Sequence, residues 1–276
     1  MARTRAQEAG ISPSKSSAKA KVQKGTKRKA STIGSDKPSK QAKAGKGTGS
    51  AKAEDEGSPQ SPANLTTKVQ SLLERFGNPP LSSMSLREPD KPTAATVLAH
   101  ILNAMLTSAR ISHELAAKSV KCLIEAGYHD LETLQKSSWQ ERTEVLTKGG
   151  YTRYREKTAT GLGELAEFVS EKYSGDLNNL RKEANDDPDQ IRSHVKEIKG
   201  LGDVGINIFC DTIQGLWPCL APFIDPRSEK TAEQIGLGTD VEKIYEAVEK
   251  HPQKMAELAV ALTTVRLEKK EKEFAS

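Results

Sequence analysis

Two short stretches carry residue types that can do chemistry. Ile198-Lys-Gly-Leu-Gly-Asp-Val-Gly-Ile-Asn-Ile-Phe209 is followed, after an apolar run, by Pro222-Phe-Ile-Asp-Pro-Arg-Ser228. In the first, Gly200 and Gly202 allow a tight turn and close backbone approach, and Leu201 can anchor the turn between two helices. The helix that follows points its first amides outward. Together with the positive end of the helix dipole they form an anion site suited to a DNA phosphate, with Lys199 beside it and Gly205 counted among the DNA-binding residues. In the second stretch Asp225 precedes Pro226, the pattern of an N-cap followed by proline at the first helical position. A carboxylate there, turned into a cleft, can stabilise positive charge developing on a deoxyribose as its base leaves, or orient the attacking water. Each feature also has a plain structural reading: glycines that end one helix and admit the next, and an aspartate that only caps.

The elements that must position these residues are helical nearly throughout. Leu65, Val69, Leu72, Leu73 and Phe76 form one stripe over residues 64–76, which Gly77-Asn-Pro-Pro80 ends, and 78–92 reads as a loop. Pro92 marks a helix start, and Val97, Leu98, Ile101, Leu102, Met105 and Leu106 follow at the spacing of a buried face, which predicts the central core helix. Further helices are expected at about 113–126, 130–136, 138–147, 155–173, 189–197, 204–214, 226–235, 240–250 and 252–267. Ser138-Trp-Gln-Glu141 has the form of a capping box. Strand-like alternation is hard to find, so the fold class is all-α.

Composition separates the chain into unlike parts. Residues 1–60 hold 14 Lys and Arg against five acids, which leaves 28 basic and 32 acidic residues for the remainder. The first part has no aromatic residue and is rich in Ser, Ala, Gly and Lys, so it cannot bury enough apolar surface to offset the entropy of ordering. We read residues 1–62 as a disordered basic tail. Its Lys27-Arg28-Lys29 run suits importins or polyanions, which predicts a nuclear location. A merely solvated tail is the alternative. No run of 18 apolar residues and no secretory leader is visible, so a soluble intracellular protein with no membrane partner is expected. Three cysteines, Cys122, Cys210 and Cys219, without CxxC spacing argue against a metal site and read as core thiols.

At this point the chain resembles the helix-hairpin-helix (HhH-GPD) DNA glycosylase superfamily, the endonuclease III-like base-excision enzymes, over roughly residues 93–237. The residues that carry the resemblance are Ile198-Lys-Gly-Leu-Gly202, the helix to Ile213, and Phe223-Ile-Asp225, which matches the family's catalytic aspartate. Thr107-Ser-Ala-Arg110 resembles the turn that inserts into DNA beside an extruded base, and Gly150-Tyr-Thr-Arg-Tyr-Arg155 resembles the opening of a later barrel helix. The resemblance implies a two-lobed helical fold with a DNA cleft between lobes. Residues 93–214 would form a helical barrel lobe, and 63–92 with 215–270 the second lobe of a domain spanning 63–270. Base flipping would deliver a damaged nucleotide of double-stranded DNA to Asp225, while Arg110 fills the gap in the stack.

The departures narrow this expectation. Bifunctional members carry a Schiff-base lysine where this chain has Val204, so a lyase step is not expected. Iron-sulfur members carry four cysteines after the aspartate, whereas the last cysteine here is Cys219, so no iron-sulfur cluster and no other cofactor is expected. Asp203 places a negative charge at the phosphate site unless it caps the helix. Arg227 could clamp a phosphate or pair with Asp225 and lower its basicity. The expectation is a monofunctional DNA glycosylase. The alternatives are a catalytically inactive DNA-binding or scaffold protein that retains the fold, and a helical interaction module.

Overall fold

The structure, a computed structural model, describes residues 62–274. The basic segment, with Lys27, Arg28 and Lys29 and its expected disorder, lies outside the described residues. Within them the regular elements are helices, with no strand. The chain runs α1 (Pro62–Phe76), α2 (Ala94–Thr107), α3 (His113–Glu125), α4 (Leu131–Lys136), α5 (Trp139–Lys148), α6 (Arg155–Tyr173), α7 (Asn178–Glu183), α8 (Pro188–Lys196), α9 (Asp203–Ile213), a 3-10 turn (Pro218–Leu220), α10 (Pro226–Gln234), α11 (Val241–Ala247), α12 (Pro252–Glu268) and α13 (Glu271–Phe274). No described helix is long and apolar enough to cross a membrane.

Local chemistry accounts for the helix ends. Asp130, Ser138, Asp187, Asp225 and Asp240 each cap the helix they precede by accepting an amide hydrogen bond in its first turn. At Ser138 the capping box is complete, because the Glu141 carboxylate also accepts the Ser138 N–H at 2.7 Å. Pro92 does not open α2. Thr93 is the N-cap, its hydroxyl accepting the Thr96 N–H, and proline stands just outside.

Two apolar clusters organise the described residues. The first surrounds α2, buried on nearly every side from Thr96 to Leu102, and draws on α3, α5, α6, α8 and α9. The second joins Val69 and Leu72 of α1 to Ile244 of α11 and to Met255, Leu258, Leu262 and Val265 of α12. Helix α1 therefore packs on the C-terminal helices, while the helix that follows it in sequence lies in the other lobe.

The crossing between lobes comes later than residue 215. Trp217 is fully buried in the first cluster, edge-on to Phe209 with centroids 5.5 Å apart, and its indole N–H donates to Asn178 Oδ1 at 3.0 Å. Leu220 also belongs there, and the loop residues Leu81, Met84 and Leu86 pack against the same cluster. Ile224 is the first residue of this stretch in the second cluster, so the chain changes lobe immediately before Asp225.

Candidate functional site

Asp225 is held in place from α9. Gln214 grips the approaching segment with both ends of its amide, Oε1 accepting the Phe223 N–H and Nε2 donating to the Phe223 carbonyl, each at 3.0 Å. One turn earlier on the same helix, Asp211 Oδ1 accepts the Asp225 N–H at 2.8 Å. Pro226 then starts α10 with the φ its ring dictates, and Asp225 Oδ1 caps that helix by accepting the Arg227 N–H at 2.7 Å.

The carboxylate is almost fully buried and also bound by the Arg227 side chain. Nε lies 3.1 Å from each oxygen, and Nη2 donates to Oδ2. The geometry is the bidentate fork, stronger than a neutral hydrogen bond. Burial pushes Asp225 upward, but the hydrogen bonds from Arg227 outweigh it and hold the carboxyl below its usual range. Asp211 moves the opposite way. Burial, then the neighbouring Asp225 charge, raise it well above the ordinary carboxylate value, against weaker opposition from the Asp225 N–H hydrogen bond and then from Arg227 and Arg266. Arg266, on α12, has its own basicity lowered by burial and then by repulsion from Arg227.

These four ionisable groups line a cavity of about 700 Å³. Its walls come from both lobes: residues 78–84, the end of α2 at Asn103 and Thr107, and Val204 and Ile208 of α9 on one side, with Ala259, Thr263 and Arg266 of α12 on the other. Asp225 thus both caps α10 and lines the cavity.

The hairpin lies at the same end of α9. Gly200 has φ +92°, where a side chain would be strained, and Leu201 is buried in the first cluster as the anchor of the turn. Gly202, not Asp203, is the N-cap, in extended conformation and with no side-chain cap bond. Among the described residues no backbone acceptor reaches the Asp203, Val204 or Gly205 amides, and the first helical bond is Ile206 N–H to Gly202 O. Asp203 instead pairs with Lys196 at 2.9 Å, and Lys199 with Glu164 at 2.9 Å. Gly205 is buried, and a Cβ on it would sit 2.5 Å from Leu201 Cδ2 and 3.2 Å from Ser108 Oγ. Its side faces the close packing of α9 on the end of α2, so the missing side chain serves that contact, with only its amide left for an anion.

Asp225, Arg227 and Val204 all line the cavity, whereas Lys199, Gly200, Leu201, Gly202 and Gly205 do not; the hairpin adjoins it only through Val204, two residues beyond Gly202. Arg110 is exposed in the turn after α2, between Ala109 and Ile111, which line the cavity. The basic residues of 148–157 do not line it; Arg155 borders a shallow groove beside Trp139. Of the cysteines only Cys210 is fully buried, the other two being partly exposed. No three of His, Cys, Asp and Glu converge on a metal-binding position among the described residues. Asp211 and Arg266 were missed. A carboxylate among Ile206, Ile208, Phe209, Cys210 and Ile213 was the available signal for Asp211, since acids are rarely fully buried without a task.

No family model matches this chain, and no curated protein does. Among solved structures it is similar to a trapped endonuclease III–DNA covalent intermediate in an estranged-adenine complex, at 14% identity over 74% of this chain and 85% of that one, with a TM-score of 0.45. It is also similar to H. pylori 3-methyladenine DNA glycosylase (MagIII) bound to 1,N6-ethenoadenine, at 16% identity over 74% of this chain and 98% of that one, with a TM-score of 0.47.

Proposed function

We propose that this protein is a DNA-binding base-excision repair protein of the helix-hairpin-helix type, a monofunctional DNA glycosylase that hydrolyses the N-glycosidic bond of a damaged or mispaired base. The observation that carries this reading is the position of Asp225: a nearly buried carboxyl, held below its usual range by Arg227, in the wall of an inter-lobe cavity of about 700 Å³ that Val204 also lines, on the helix whose first amides are free among the described residues. The hairpin amides grip the DNA backbone, Arg110 occupies the gap left in the stack, and the extruded nucleotide enters the cavity. Asp225 stabilises the oxocarbenium-like sugar and orients water. The C1′–N bond breaks with its electron pair leaving on the base, water oxygen bonds to C1′, and the water proton is released. Val204 offers no amine at the rim, so hydrolysis proceeds without a Schiff base. The basic tail, through Lys27, Arg28 and Lys29, supplies import-receptor recognition and weak, salt-sensitive DNA affinity.

Incubation of the full chain with duplexes carrying uracil, alkylated or oxidised bases tests this. Release of at least one base, lost in Asp225→Asn, is the expected result. A second reading, DNA binding without turnover, is favoured by the Arg227 fork that engages both Asp225 oxygens. Tight binding to every lesion duplex with no release from any would establish it and overturn the enzyme.

A further inference from the structure

Asp211 is unused by the mechanism above, although it stands in the same cavity wall as Asp225. It is 5% exposed, on the α9 face that meets the segment carrying Asp225. Its Oδ1 accepts the Asp225 N–H at 2.8 Å, its Oδ2 takes part in no hydrogen bond among the described residues, and the residue lines the cavity. A carboxylate that only positioned Asp225 would be served by an amide, and a buried unpaired charge beside another charge is costly. A protonated carboxyl has one oxygen to accept and one hydroxyl to give. That matches one oxygen engaged by protein and one left toward the cavity.

The charged groups facing Asp211 leave this assignment intact. Asp225 at the start of α10 disfavours a second negative charge. Arg227 on α10 is committed to Asp225 by its fork, and Arg266 reaches in from α12. His113 of α3 lines the cavity further off, its own basicity lowered by burial. His100 of α2 is fully buried and tied to Thr212, its basicity pushed down to about 3. Burial and Asp225 together win, and the Asp211 carboxyl is raised well above its ordinary value.

We propose that Asp211 is a second working carboxyl of the site, the acid that protonates the departing base while Asp225 faces the sugar, and that the preferred substrates are therefore bases uncharged in DNA. The proposal rests on the glycosylase reading and names its substrate class. As the C1′–N bond breaks and its electron pair moves onto the base, the Oδ2 proton of Asp211 passes to a ring nitrogen. Water then bonds to C1′ and returns its proton to the Asp211 carboxylate, so acid and water balance over one turnover. A base already cationic, such as 7-methylguanine, leaves without that proton. An uncharged base such as hypoxanthine needs it.

The test compares single-turnover release of hypoxanthine and of 7-methylguanine by the full chain. In the unaltered protein, hypoxanthine release falls as pH rises through the Asp211 titration while 7-methylguanine release does not follow it. Asp211→Asn loses about 100-fold or more on hypoxanthine and stays within about threefold on 7-methylguanine, and Asp211→Glu restores part of the loss. Equal losses on both bases, or parallel pH profiles in the unaltered protein, would assign Asp211 to positioning alone and overturn the proposal; the pH profiles stand even where the variant fails to fold. Release of 7-methylguanine only would overturn the proposal and leave the glycosylase intact, whereas release of no base by the unaltered protein would remove both.

Discussion

Arg227→Ala probes the pair at the centre of the site. The Asp225 side chain is 3% exposed and the Arg227 side chain 43%, so one partner is buried and the other is half in water. Removing one member of a fully buried pair costs about 3–5 kcal/mol, because the remaining charge is left desolvated. Solvent around the guanidinium screens the attraction, which reduces the expected cost here to about 1–2 kcal/mol. For a domain of this size that corresponds to a fall in Tm of about 2–8 °C near neutral pH. The pH dependence identifies the cause. In the native protein Asp225 is held below its usual range, so its ionisation adds stability above the unfolded-state value of about 3.9, and that contribution is lost as pH falls through the lower native value. In the variant burial acts with little to oppose it and raises the carboxyl. The group then costs stability as pH rises from acid toward its new value. Thermal unfolding of both proteins at pH 7.5 and pH 4.5, followed by circular dichroism, should show a gap that narrows at the acid end. An equal gap at both pH values, or none at pH 7.5, would refute the electrostatic account of the fork.

Three further outcomes follow from the geometry. Gly200→Ala forces a side chain onto φ +92° and is expected to cost about 1–3 kcal/mol and to weaken DNA binding in a gel shift, since the hairpin must rearrange. Gly205→Ala drives a Cβ to 2.5 Å from Leu201 Cδ2 and should destabilise by about 1–3 kcal/mol in urea unfolding, offset in part by alanine's helix preference; an unchanged midpoint would show that Leu201 yields freely. Lys199→Ala removes an exposed pair with Glu164, so Tm should stay within about 1 °C while the salt slope of DNA binding falls by about one; an unchanged slope would take Lys199 out of the interface.

The hairpin and Asp225 were legible in the sequence because their signals are local: glycine spacing, an Asp-Pro boundary and a helix between them. The longer helices were legible for the same reason, each holding an apolar stripe over several turns. Helix α7 has only six residues, too few for a period to register, and its place depends on Asn178 meeting Trp217 across 39 positions. The partners of the charged residues were not legible either. Lys199 stands next to the anion site in sequence, yet Glu164 on α6 takes its ammonium group. Arg266 enters the cavity only because α12 packs against α9 and α10. Trp217 reads as the start of the second lobe until its ring is seen buried against Phe209 in the first.

Net charge misleads about this site for a related reason. Residues 61–276 carry 28 basic against 32 acidic residues, a balance unsuited to binding a polyanion. Several of the surface charges are already consumed in exposed pairs such as Lys196 with Asp203 and Lys254 with Glu249, which add little field beyond a Debye length. Within the cavity the count differs, because burial decides which groups are ionised. Asp225 keeps its charge through Arg227, Asp211 is driven toward its neutral form, and the two guanidinium groups, which proteins do not deprotonate, stay cationic. The wall then carries one more positive than negative charge, next to helix amides that carry partial positive charge of their own. An extruded nucleotide would bring its phosphate toward that excess and its sugar toward the single carboxylate. On the proposed reading, an Asp211 held neutral would both keep a proton for the departing base and leave the wall with one excess positive charge.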